Sequence, residues 1–153
     1  MSAVRIAPVS ALDLPALLDL MRALADFEHL PPPEPDTGRR LRAALRGRDP
    51  RLHGLIARRD GRALGYALYF FTYSTFLARP TLYLEDLFVL PEARRDGIGG
   101  RLFRTCVRTA RRKGCGRVEW AVLDWNRPAH RFYRKEGGSI LKDWQLYRLP
   151  LRP

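Results

Sequence analysis

Seven consecutive residues, Arg94-Arg95-Asp96-Gly97-Ile98-Gly99-Gly100, constrain this chain most, because they join a β-type run over 82–90 to an amphipathic helical run over 98–110. Gly97 and Gly99 let the backbone approach an anion closely, and the free N–H groups and positive dipole end of the new helix then face it. Arg94 and Arg95 add paired donors beside the turn. The helix carries one apolar stripe, Ile98, Leu102, Phe103, Cys106, Val107 and Ala110. Its other face is basic, with Arg101, Arg104, Arg108, Arg111, Arg112 and Lys113, and Gly114 is placed to end it. A strand, an anion-cradling turn and a helix make an α/β unit.

The charge balance supports the same reading. Lys and Arg number 28 against 16 Asp and Glu, a formal charge of +12. Between 94 and 117 there are nine basic residues and one acidic residue, Asp96. That bias attracts a phosphate-bearing cofactor or a polyanion. A chain of 153 residues, 46% hydrophobic, fits one domain over 1–153 and has no apolar run long enough for a membrane span. The first residues show no basic segment followed by an apolar one, so the expected setting is cytoplasmic. Cys106 and Cys115 are expected to stay unpaired, and neither the cysteines nor His29, His53 and His130 have metal-ligand spacing, so no metal is expected.

Along the chain the order is alternating β and α. Residues 4–9 read as a strand. Ser10 with Asp13 resembles a capping box before a helix marked by Leu14, Leu17, Leu18, Met21 and Leu24. Four prolines within 30–38 predict a loop, followed by a short basic helix over about 39–46. Residues 52–58 and 63–73 read as strands around Arg59-Asp60-Gly61-Arg62, a hairpin turn of the Asp-Gly kind. After the glycine turn and its helix, 117–123 reads as a strand, 129–136 as a short helix and 145–149 as a last strand.

The order of these elements, the Arg94, Gly97 and Gly99 turn, and the downstream Asn126 with Phe132, Tyr133 and Gly137 resemble the GCN5-related N-acetyltransferase superfamily across essentially the whole chain. The segments around Glu85-Asp86 and Trp125-Asn126 look like those of diamine N-acetyltransferases. The resemblance implies a single-domain α/β fold with a mixed, mostly antiparallel central sheet flanked by helices and splayed at an acetyl-CoA site. It implies acetyl-CoA as acetyl donor, held by Leu87, Phe88, Val89, Arg94, Arg95, Asp96, Gly97, Ile98, Gly99, Gly100, Asn126 and Tyr133. It also implies a homodimer.

Amine acetylation sets its own requirements. An alkylammonium near pKa ~10.4 must lose a proton before it can attack a thioester, and Glu85 is the expected base. Tyr133, protonated at neutral pH, is the expected acid toward the departing thiolate. Backbone N–H groups along 87–89 can polarise the thioester carbonyl if the strand splays. Acceptor contacts are expected from Phe27, Glu28, Glu85, Asp86, Glu119, Trp120 and Ala121, with Asp26 a further carboxylate in the loop after the first helix. Asp86 points away from Glu85 if the strand alternates regularly, and can bind a second ammonium if a bulge alters the pleat.

The diamine pattern is not complete. It has Tyr-Glu where this chain has Phe27-Glu28, and an acidic pair where this chain has Lys142-Asp143 before Trp144. With the +12 background, this favours a small amine or an amino-acid-like acceptor such as thialysine over a polyamine. The alternatives are acetylation of proteins or peptides, and a non-enzymatic basic module binding nucleic acid. The aromatics are not interleaved with the basic stripe, so nucleic acid is not expected as a partner.

Overall fold

Alternating buried positions in two long runs, separated by Asp-Gly, build the centre of the sheet. In the computed structural model, which describes residues 2–151, these runs are β2 (His53–Arg59) and β3 (Arg62–Ser74). Asp60 and Gly61 between them have φ 51° and 79°, the two positive values of a type I′ turn. The strand β1 (Arg5–Pro8) lies outside β2, and β4 (Arg79–Val89) outside β3, all antiparallel. The short β5 (Arg117–Glu119) pairs parallel to β4, so the sheet is mixed, with order β1-β2-β3-β4-β5.

Helix α1 (Leu14–Glu28) follows a 3-10 turn, Ala11–Asp13, in which the Ser10 backbone N–H and hydroxyl both donate to the Asp13 carboxylate. Leu14, Leu17 and Leu20 recur at helical spacing and pack on Ile56, Tyr66, Leu68 and Phe88 of the sheet. Leu17 is fully buried, so Leu17→Ala should cost about 2–5 kcal/mol of stability. Helix α2 (Thr37–Ala44) follows the proline-rich loop. On the opposite face lies α3 (Ile98–Arg112), burying Ile98, Leu102, Phe103, Cys106 and Ala110. It ends as its sequence predicts: Gly114 has φ 71° and the Cys115 N–H donates to Ala110 O.

The described residues form two units, one up to Ala121, holding the sheet with α1 to α3, and one from Val122 onward, holding α4 (Arg127–Lys135). Three expectations need correction. Asp26 and Glu28 lie on the last turn of α1, not in a following loop. The strand expected over 117–123 stops at Glu119. Residues 145–149 form no strand: Leu146, Tyr147 and Leu149 are exposed, and alternation alone makes no strand without a neighbour to pair with.

Candidate functional site

The strand leading to the glycine turn is irregular at one residue. Asp86 pairs with Leu68 and Leu84 pairs with the adjacent Tyr69, so Glu85 is an extra residue with no partner on β3. Leu68 belongs to the core under α1, and Tyr69 is next to it on the strand and therefore faces the other side. The bulge thus turns Asp86 to the α1 face and leaves Glu85 exposed. This is the altered pleat that the sequence left open.

Carboxylates gather here despite the chain's positive charge. The Tyr66 hydroxyl lies 3.4 Å from Asp86 Oδ2, within hydrogen-bonding reach. Burial pushes the Asp86 carboxyl up to about 6, and the negative charges of Glu85 and Glu28 push the same way. Burial also raises Glu28, while Tyr66 is raised by burial and by Asp86. Tyr83 is raised by burial and then by Glu85 and Glu119, so Glu119 faces the same region. Four sequence-predicted acceptor residues, Glu28, Glu85, Asp86 and Glu119, therefore share one electrostatic neighbourhood. Glu119 is ion-paired to Arg117 at 2.6 Å, and Trp120 packs edge-on against Phe103 with centroids 5.3 Å apart. Ala121 is exposed at the end of this unit.

Past the bulge the sheet opens. Pairing of β4 with β5 ends at Tyr83 and Glu119, and the outer edge of β4 over 84–89 has no strand partner among the described residues. The Leu90 N–H donates to Leu64 O on the inner side, so by alternation the Leu87 and Val89 N–H groups lie on the open edge and that of Phe88 faces β3. The Phe88 side chain is in the core.

The turn itself is built by backbone conformation. Gly97, at the N-cap of α3, has φ 72°, and a Cβ there would meet nothing within 4 Å. Glycine is needed for its torsion, not for space. It offers no capping side chain, so the first N–H groups of α3, on Ile98, Gly99 and Gly100, are left for an anion. Arg95 also has positive φ, 79°. Asp96 forms an ion pair with Arg59 at 2.9 Å. The Arg94 guanidinium sits 4.9 Å from the Phe27 ring centroid and 5.6 Å from that of Phe88, and its Nε donates to Val89 O at 3.0 Å. Arg94 thereby braces the turn against α1 and β4.

In the second unit, Asn126 is buried and its Oδ1 accepts from the Ala129 N–H at 3.2 Å, capping α4, with Pro128 in the first turn. Tyr133 is half-buried and packs against Phe132 with centroids 5.0 Å apart. His130 Nε2 donates to Leu123 O at 3.1 Å, a contact that sequence reading did not supply. Gly137 ends the helix at φ 98°.

Sequence reasoning missed three participants: Tyr66 beside Asp86, Arg59 on Asp96, and the aromatic seat of Arg94. Tyr66 stands in an alternating run, Leu64, Tyr66, Leu68, which reads as core. Only the register places its hydroxyl by a carboxylate. Both cysteines are free, and burial pushes the Cys106 thiol up to about 12, so it is an inert core group. No helix among the described residues is long and apolar enough to cross a membrane.

The acetyltransferase (GNAT) family profile matches residues 15–138. The chain is 33% identical to thialysine N-epsilon-acetyltransferase of Mus musculus over 97% of its own length and 93% of the relative's. It is 42% identical to L-ornithine N5-acetyltransferase of Arabidopsis thaliana over 56% of this chain and 37% of that one. Among solved structures, an integron cassette protein of V. cholerae superposes with a TM-score of 0.83 at 23% identity, covering 98% and 94% of the two chains.

Proposed function

Because the chain belongs to the acetyltransferase (GNAT) family and is an N-acetyltransferase with acetyl-CoA as acetyl donor, we propose that its acceptor is a primary amine on a small, amino-acid-like molecule. The observation that carries this reading is the bulge at Glu85, which sets an exposed carboxylate beside half-buried Asp86 immediately before the open edge of β4. A negative neighbourhood in a protein of charge +12 attracts an ammonium locally, while the wider field disfavours a polycation. The relatives' acceptors, thialysine and ornithine, have one side-chain amine each and fit that balance.

The residues fit the donor. Leu87 and Val89 would offer N–H groups along the open edge, and Gly97, Ile98, Gly99 and Gly100 the uncapped helix start, with Arg94 and Arg95 close by; Asn126 is assigned to the donor by the family resemblance alone. Acetyl-CoA, when bound, supplies the acetyl group as an activated thioester. Glu85 accepts a proton from the acceptor ammonium at a carboxylate oxygen, directly or through one water, leaving a neutral nucleophile. Tyr133 would be the proton donor, through its Oη–H, for the donor's sulfur. Asp86, Glu28 and Glu119 orient the acceptor's positive groups. Phe27, Trp120 and Ala121 would contribute the remaining surface of the acceptor cleft.

In this reading residues 1–153 act as one domain in a cytoplasmic homodimer. The free thiols fit that compartment, and the exposed Trp144, Leu146 and Leu149 are apolar surface that a second copy would cover. The test is mass spectrometry of products after incubation with acetyl-CoA and an equimolar mixture of ornithine, thialysine, lysine, spermine and lysine-containing peptides. Acetylation of the small amino acids first is expected; acetylated peptides with unmodified amino acids would overturn the proposal.

A further inference from the structure

Helix α3 carries five arginines and no acidic residue, and its outward side forms one wall of a groove whose other wall is the β1 edge of the sheet. The groove has a volume of about 500 Å³. Arg101, Arg104, Arg108 and Arg112 line it at intervals of three or four residues, so they stack along one side of the helix. From Arg101 to Arg112 this stripe runs roughly 16 Å at about 1.5 Å per residue. Ile6, Pro8 and Leu55 provide the apolar side opposite, with nearly buried Tyr69 also in the lining.

Charge pairing separates these arginines from others in the chain. Arg22, Arg39, Arg58, Arg59, Arg62 and Arg117 each meet a carboxylate within 4 Å. Among the described residues, Arg101, Arg108 and Arg112 ion-pair with none. Arg108 and Arg112 donate instead to the hydroxyls of Thr105 and Thr109, one turn back on the same helix, which fixes their guanidinium groups beside the groove. Arg101, Arg108 and Arg112, with no carboxylate partner among the described residues, set three cations on one concave wall and raise the local potential for a multivalent anion.

We propose that this groove binds a multiply phosphorylated small molecule of nucleotide size, at a site separate from the acetyl-donor site. The stripe's length matches a short phosphate chain with an attached group, and the apolar wall gives that group a surface. A half-open groove of about 500 Å³ lies in the small-ligand range. Separation from the donor follows from topology. The groove opens toward β1 and β2, whereas the unpaired edge that receives the donor belongs to β4, at the other side of the sheet.

The test is calorimetric titration of the full chain with inorganic tripolyphosphate and, separately, with ATP at about 0.15 M salt, with and without acetyl-CoA. Both are expected to bind in the presence of acetyl-CoA, and Arg108→Gln with Arg112→Gln should weaken binding at least tenfold while leaving acetyl-CoA affinity unchanged. Equal affinities for the two probes would assign the site to the phosphate chain, and tighter ATP binding would assign it to a nucleotide. Both substitutions are on an exposed helix face and keep good helix formers, so an unchanged melting temperature is the folding check. Arg39→Gln, on α2, is the control for general charge loss. Neither probe binding, affinity indifferent to the groove variants, or complete competition by acetyl-CoA would overturn the proposal. Binding confined to a single-stranded oligonucleotide would overturn it as well, by making the surface a polymer track.

Discussion

Leu84 and Asp86, two residues apart on one strand, face opposite sides of the sheet, because Glu85 between them has no cross-strand partner. In a regular strand they would share a face. The extra residue places Leu84 in the layer with Tyr69 and Asp86 beside Tyr66, and leaves Glu85 exposed where β4 begins to part from β5. The proposed base and the proposed acceptor carboxylate thus follow from one irregularity, next to the open edge of β4.

Glu85→Gln removes the proposed base while keeping shape. At pH 7 the expected outcome is a fall in kcat/KM of about 10²–10⁴, with acetyl-CoA affinity unchanged. Steady-state rates of CoA release should then recover toward wild type as pH rises toward the amine's own pKa, because the neutral acceptor no longer depends on a base. A pH-independent defect would assign Glu85 to binding.

Asp86→Asn is expected to stabilise the protein at neutral pH. Burial, and then the charges of Glu85 and Glu28, push the Asp86 carboxyl up to about 6 in the folded state, against 3.8 ordinarily. The fold therefore holds this proton more tightly than the unfolded chain does. Its stabilising contribution is complete below about pH 4 and disappears as pH rises through 6. At pH 7.5 the ionised group weighs against folding by an amount on the order of 1–3 kcal/mol. Thermal melts of the variant should lie above wild type at pH 7.5 and converge with it near pH 4; a lower melting temperature at pH 7.5 would show that the charge is compensated.

Gly97 separates torsion from space. Gly97→Val places a β-branched residue at φ 72°, a region costing roughly 1–2 kcal/mol for most side chains, although a Cβ has room. The turn should relax, and acetyl-CoA binding should weaken by about tenfold or more in calorimetry. Gly97→Asn, whose side chain tolerates this region, should lose much less. Equal losses would mean that the side chain itself blocks the anion.

Tyr133→Phe deletes one hydroxyl and retains the edge-on packing against Phe132. The expected result is a drop in kcat of about 10²-fold with little change in donor affinity, as for loss of a general acid. An unchanged kcat would reduce Tyr133 to an aromatic wall.

Features set by neighbouring residues were legible in the sequence. Asp60-Gly61 specifies its turn, the stripe from Ile98 to Ala110 specifies α3, and Gly97 marks the break between strand and helix. The bulge is not legible in the same way, because register depends on β3 and nothing near Glu85 in the chain reveals which residue lacks a partner. The aromatic seat of Arg94 is not readable from its neighbours in the chain, because Phe27 comes from α1. The partner of Asp96 is equally distant in sequence, since Arg59 comes from β2. Residues 145–149 mislead in the opposite direction, since Leu146 and Leu149 are apolar enough for a strand but are exposed without one.

The most direct measurement is the ratio of kcat/KM for ornithine or thialysine to that for spermine, from CoA release at saturating acetyl-CoA. A ratio well above one, abolished for every acceptor by Glu85→Gln, is the result predicted by a small acidic site within a strongly basic protein. A ratio below one would contradict the assignment of the acceptor, and turnover unaffected by Glu85→Gln would contradict the placement of the chemistry at the β4 bulge.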